Sequence, residues 1–133
     1  MICQDLKYSN DHEWVRVLDG DIAEIGISDF AVNELGDIVY VELPAEGATV
    51  TAGQEFGSVE SVKTVSPILA PVSGSVVAVN PVLCEDNGEY TPEIVNADAY
   101  GAGWMIRVKM SNPAELNDLM DDKAYAQIIE AGH

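Results

Sequence analysis

Basic residues are scarce in this chain: six lysines and arginines stand against 23 aspartates and glutamates, a formal net charge of −17. A surface this acidic repels phosphate backbones and anionic headgroups, which speaks against nucleic-acid and membrane partners. It suits partners with basic docking faces and keeps a small protein in solution. Histidine is scarcer still, and His12 is the one internal copy. That argues against a histidine-based metal cluster and leaves a single candidate for triad chemistry. The two cysteines, Cys3 and Cys84, lie far apart and form no C-x-x-C pair. Reduced thiols are expected, since a disulfide framework or zinc site needs more ligands at closer spacing. No G-x-x-x-x-G-K-[ST] or G-x-G-x-x-G run offers a phosphate cradle. Long apolar runs are missing too. The longest, such as Val76 to Val79, fall far short of a bilayer span. Met1 to Ser9 has neither a basic start nor an apolar stretch, so no signal peptide is expected and the compartment is read as cytoplasmic.

What the chain does have is enough apolar content, 47%, for a buried core. Its 133 residues predict one domain over 1–133. Short β-rich segments are broken by glycine and proline. Strands are predicted over Glu13–Leu18 and Ile22–Ile27, joined by a tight turn at Asp19-Gly20. Ser28 reads as the N-cap of a short helix through Leu35, stopped by Gly36. Further strands follow at Ile38–Leu43, Phe56–Ser61, Thr64–Leu69, Gly74–Val79 and Trp104–Met110. Asn112-Pro113 reads as a cap with proline in the first turn, opening a helix to about Met120; a last helix is predicted from about Asp122 to Ile129. A faint echo, Pro44-x-x-Gly47 and Pro71-x-x-Gly74, flanks the middle of the chain and fits a sandwich of two similar halves joined by a central hairpin. The acidic run Glu85-Asp86-Asn87-Gly88-Glu89 invites a calcium reading, but its glycine does not fall at the EF-hand position.

One residue stands apart. From Val17 to Ile106 there is a single basic side chain, Lys63, and no histidine. It sits between two β-branched segments, so a hairpin there projects it from the body of the protein. An ordinary solvated turn lysine is the bland alternative. A catalytic Schiff-base lysine needs burial or a neighbouring cation to lower its pKa. Nothing in the sequence supplies one, and roughly one exposed lysine in 2,500 is neutral at pH 7. Lys63 therefore reads as an acceptor that another enzyme modifies, not as a nucleophile in its own right.

The run Gly57-Ser58-Val59-Glu60-Ser61-Val62-Lys63 resembles the lipoylation motif of the glycine cleavage H proteins. The likeness extends to His12-Glu13-Trp14-Val15, to Ile25 through Ala31, and to Leu35 through Pro44. It continues through Ala70 to Gly74, Val77 to Asn80, Pro92 to Asn96 and Tyr100 to Met105. Biotin carriers usually flank their lysine with methionine, and dehydrogenase lipoyl domains usually precede it with aspartate; neither pattern occurs. The resemblance implies a mainly β barrel-sandwich hybrid with a few short edge helices and a C-terminal helix. It also implies lipoate, held covalently on Lys63, and a non-catalytic carrier. Its implied partners are a pyridoxal phosphate-dependent glycine decarboxylase, an aminomethyltransferase, a dihydrolipoyl dehydrogenase, and a lipoate ligase or octanoyl/lipoyl transferase. By the same resemblance Glu13 is a possible contact to the loaded arm, and Glu60 a possible element in recognition of the hairpin during lipoylation. Trp14 and Trp104 are expected in the core sooner than in a cleft. Pro67 departs from the family, which often places an acidic residue there, and the Cys84–Thr91 segment is longer and more acidic than usual. The rival readings are an H-like lipoyl relay in lipoate assembly or another pathway, and a structural β-domain whose lysine stays unmodified.

Overall fold

The computed structural model describes residues 6–18, 20–84 and 90–130. Among these residues nine strands form two antiparallel sheets. The larger runs in the order β1 (Lys7–Tyr8), β2 (Glu13–Val17), β3 (Ile22–Ile27), β9 (Ile106–Met110), β8 (Gly74–Val79), β5 (Thr49–Val50). The smaller is β4 (Ile38–Glu42), β6 (Glu55–Ser61), β7 (Val65–Leu69). Alternation drives the pairing: in β6, Gly57, Val59 and Ser61 are buried while Glu60 faces water. Three apolar clusters are buried among the described residues, and besides the small one of Leu6, Tyr8, Trp14 and Tyr125 two fill the interior. One, with Ile25, Val76 and Ile106, belongs to the larger sheet; the other, with Ile27, Val41, Val59 and Ile68, lies between the sheets. Phe56 packs against both.

Helix α1 (Asp29–Leu35) carries the chain from the larger sheet to the smaller. Its cap is as predicted, with Ser28 Oγ accepting from the Ala31 N–H at 3.2 Å. Gly36 closes it at φ +87°, a left-handed value suited to glycine, and donates to the Val32 carbonyl. At the other end of the chain, α3 (Asp122–Glu130) buries Tyr125 against Tyr8, the rings stacked 4.3 Å apart.

Most predicted elements stand within a residue or two of their expected bounds. Asp19 lies outside the described residues, although the Leu18 N–H donates to the Ile22 carbonyl across that turn. The expected helix after Asn112 is present as a 3-10 helix, Pro113–Asp118, two residues shorter than expected. Asn112 offers no side-chain cap, and Glu115 turns away to accept from the backbone N–H and the hydroxyl of Ser73. Met120 then pairs with Tyr8 through two 2.8 Å backbone bonds, which ends the coil before an α-helix can form. The short elements β1, β5, α2 (Ile94–Ala97) and a 3-10 turn at Pro81–Leu83 were not predicted. The two P-x-x-G copies are not equivalent: Gly47 takes φ +91° in a turn, whereas Gly74 starts β8 with the Lys109 carbonyl where a side chain would stand.

Trp14 is fully buried and donates its indole N–H to the Ala99 carbonyl at 3.0 Å. Its ring covers Gly26, its partner across β2 and β3. A Cβ at Gly26 would meet three ring atoms at 2.7–2.8 Å. Because the indole hydrogen bond holds the ring in place, Gly26→Ala should destabilise the fold by about 1–3 kcal/mol, read as a lower denaturant midpoint at unchanged slope. An unaltered midpoint would show that the ring moves freely.

Candidate functional site

Lys63 stands where the sequence predicts, exposed at the tip of the β6–β7 hairpin. Ser61 shapes the tip. Its buried hydroxyl accepts from the N–H groups of Lys63 and Thr64, both at 3.1 Å, while its backbone N–H donates to the Thr64 carbonyl at 2.8 Å. The turn is tied sideways as well, since the Val62 N–H donates to the Asp37 carbonyl just before β4. Ser61 is a residue that the sequence reading passed over, though a serine two places before a projected turn residue is a legible signal.

The lysine stem leans over the end of α1. Its Cε lies 3.7 Å from where a Cβ on Gly36 would be, an ordinary van der Waals distance. Among the described residues Lys63 joins no ion pair. The two arginines are engaged elsewhere: buried Glu24 holds Arg16 at 2.8 Å and Arg107 at 3.0 Å. The same guanidinium groups stack over Trp14 (5.0 Å) and Trp104 (4.1 Å). Both tryptophans thus serve packing, as expected.

A cleft of about 270 Å³ opens beside α1, lined by Asp11, His12, Phe30, Glu34, Leu35 and Ser66 among others. None of these was singled out as a cleft residue from the sequence; they come from three separate stretches that only the fold assembles. His12, at φ +69°, bonds through Nδ1 to the Tyr125 hydroxyl at 2.8 Å, and that hydroxyl also meets Ser28 Oγ at 2.6 Å. Burial pushes the Tyr125 hydroxyl up to about 12, so it keeps its proton. A larger groove of about 820 Å³, lined by residues of β4 and β8 together with Leu43, Pro81 and Cys84, contains none of the predicted site residues.

Glu13 lies deeper than its two neighbours in the cleft wall. It is buried on β2, accepts from Ser9 Oγ at 2.6 Å and from the Leu69 N–H at 3.4 Å, and so links the larger sheet to β7 of the smaller. Glu60 faces solvent, between Tyr40 and Val65 in the sheet register. Pro67 is exposed on β7, an edge strand that tolerates its missing N–H. Residues 85–89 of the acidic segment lie outside the described residues. Among the described residues no group of histidine, cysteine or carboxylate side chains is arranged to hold a metal, and no helix is long and apolar enough to cross a membrane.

Burial raises the Glu13 carboxyl from 4.5 to about 8, the Ser9 hydrogen bond opposing it only in part. In the unfolded chain the same group releases its proton near 4.5, so the folded state binds more proton across the interval. The stabilisation that Glu13 gives is therefore complete below pH 4.5 and drains away as pH climbs to about 8. The unfolding free energy of the wild type, measured against Glu13→Gln, should fall by on the order of 3 kcal/mol from pH 5 to pH 8. Parallel pH profiles for the two proteins would rule out a neutral buried carboxyl.

The comparisons with known proteins agree with this geometry. The family model described as glycine cleavage H-protein matches residues 6–132. The glycine cleavage system H protein of Koribacter versatilis is 54% identical over 97% of this chain and 96% of its own. That of Bacteroides fragilis is 48% identical over 96% and 97%. A crystal structure of a glycine cleavage system H protein from Mycobacterium marinum superposes with a TM-score of 0.85 at 38% identity, covering 97% of this chain and 99% of that one. A family match over residues 6–132, with relatives about half identical over nearly their full length, has one meaning: the chain belongs to the glycine cleavage H-protein family.

Proposed function

We infer that this chain is the lipoyl carrier of a glycine cleavage system, with the lipoyl group in amide linkage to Lys63. The observation that carries the reading is the pinned, exposed hairpin tip with its solitary ammonium. The residues present fit the group. Nζ is open to a modifying enzyme, the stem passes over a glycine, and a cleft begins where α1 ends. When bound, the lipoyl group would supply a disulfide able to accept an aminomethyl unit from a pyridoxal phosphate-dependent glycine decarboxylase; an aminomethyltransferase would take that unit, and a dihydrolipoyl dehydrogenase would return the resulting dithiol to the disulfide. The protein itself attaches and positions, and performs no catalysis.

Its residues divide that work. Ser61 and Asp37 hold the lysine outward. Glu60 offers an exposed charge for the lipoate ligase or octanoyl/lipoyl transferase that modifies Lys63. Glu13 meets the amine of the loaded arm once the cleft opens between β2 and β7, and an ammonium brought beside it draws the carboxyl back toward ionisation. The chain acts as one carrier domain over 1–133, in the cytoplasm.

Expression with lipoate should add one lipoyl mass, mapped to Lys63 and lost in Lys63→Arg. Modification removes one positive charge, taking the formal net charge from −17 to −18 and speeding migration on native gels. Only the lipoylated form, mixed with the decarboxylase, should exchange labelled carbon dioxide into glycine. Full exchange by unmodified protein would end the carrier reading.

A further inference from the structure

The elbow between α1 and β4 has no regular structure of its own. Helix α1 ends at Leu35 and β4 begins at Ile38, so Gly36 and Asp37 belong to neither. Asp37 is exposed, and Gly36 has the conformational freedom of a residue without a side chain. Peptide planes in such a segment rotate at little cost unless something holds them. Yet the Asp37 carbonyl is the sideways support of the hairpin tip, accepting from the Val62 N–H at 3.1 Å.

A side chain from a third element aims that carbonyl. Asn96, on α2, grips the elbow on both sides of Asp37. Its Oδ1 accepts from the Ile38 N–H at 2.8 Å, and its Nδ2 donates to the Gly36 carbonyl at 3.0 Å. The partners fix which way the amide faces, since an N–H only donates and a carbonyl only accepts. The Ile38 N–H and the Asp37 carbonyl belong to one peptide group. That group is planar and trans, so its N–H and C=O point in opposite directions. Holding the N–H toward Asn96 therefore turns the carbonyl toward Val62. One continuous linkage results, from Asn96 Oδ1 to the Ile38 N–H, across the peptide plane to the Asp37 carbonyl, and on to the Val62 N–H beside Lys63. Hydrogen bonds at the two ends of one amide polarise it and strengthen each other. The base of the linkage is firm, because Val95, next to Asn96 on α2, is fully buried in the cluster between the sheets.

The geometry points to Asn96 as a positioning residue for Lys63, setting the direction of the arm's root through the peptide group between Asp37 and Ile38. The inference rests on the carrier reading above. Without Asn96 the turn is bonded firmly only from within, by Ser61, and tilts as a body. A tilt of about 20° carries Nζ, about 6 Å from Cα, through about 2 Å, and moves the end of a longer arm in proportion. Such spreading lowers the arm's effective concentration at a docked active site. The loss acts after docking, so it enters kcat and leaves the KM for the carrier in place.

The test has two arms, both on the full-length protein. In the first, on unmodified isotope-labelled protein, magnetic resonance reads the coupling across the hydrogen bond from the Val62 nitrogen to the Asp37 carbonyl carbon. Asn96→Ala should abolish that coupling and speed amide exchange at Val62 by roughly tenfold. Exchange at Met105, bonded to the Ile25 carbonyl of the larger sheet, should not change. Asn96→Asp keeps an acceptor for the Ile38 N–H and gives up only the donor to Gly36, so the coupling should survive. In the second arm, fully lipoylated proteins, verified by intact mass, are titrated into glycine-dependent carbon dioxide exchange with the decarboxylase. Asn96→Ala should lower kcat severalfold at an unchanged KM for the carrier, and Asn96→Asp should stay close to the wild type. Coupling retained in Asn96→Ala, or equal acceleration at Val62 and Met105, overturns the linkage. Coupling lost with kcat unaltered makes Asn96 a stabilising side chain alone and overturns the positioning role. A wild type that carries no lipoyl group, or fails in exchange, overturns the carrier reading and this role with it, while the coupling judges the linkage by itself.

Discussion

The placement of α1 governs everything around the lysine, and a shared hydroxyl contact fixes that placement. Ser28 Oγ caps the helix and also meets the Tyr125 hydroxyl, which in turn holds His12. Three segments distant in sequence converge there: the turn before β2, the start of α1 and the C-terminal helix. The helix then delivers Gly36 beneath the lysine stem and its last turn to the cleft wall. Burial keeps the phenol protonated, so the contact persists through the physiological range. Loss of α3 would release His12 and the start of α1 together, loosening the cleft from a point far along the chain.

The electrostatic layout follows from how few cations exist. Arg16 and Arg107 share Glu24 and lie over tryptophan rings, so both guanidinium groups are held by contacts on the large sheet. Lys63 stands exposed at the tip with no ion pair among the described residues. Glu13 represents the opposite economy: a carboxyl so enclosed that it holds its proton near neutrality, within a protein otherwise crowded with anions. A neutral acid can bridge two sheets at modest cost, where an ionised one would need a cation that this chain does not have to spare.

Much of this was legible in the residues themselves. Period-two alternation bounded by glycine and proline located the longer strands, and the Ser28 and Gly36 signals located α1, because those effects are local. Two-residue strands such as β1 and β5 have no period to read and exist only because a neighbour supplies the hydrogen bonds. The helix after Asn112 is legible in its proline-led opening, whereas its 3-10 form and early end depend on the tertiary pairing of Met120 with Tyr8 and of Glu115 with Ser73. At the site, isolation of charge pointed to Lys63. The cleft stayed invisible, being assembled from remote stretches, and so did the depth of Glu13, which depends on an amide of β7.

The hairpin tip has a mechanical consequence. With the turn bonded inside by Ser61 and sideways to Asp37, the post that bears the lysine is stiff, so any tether grown from it sweeps a volume set by its own rotatable bonds. The encounter frequency of the tether's far end with a docked active site then becomes a matter of chain statistics, tunable by tether length and scarcely by breathing of the protein.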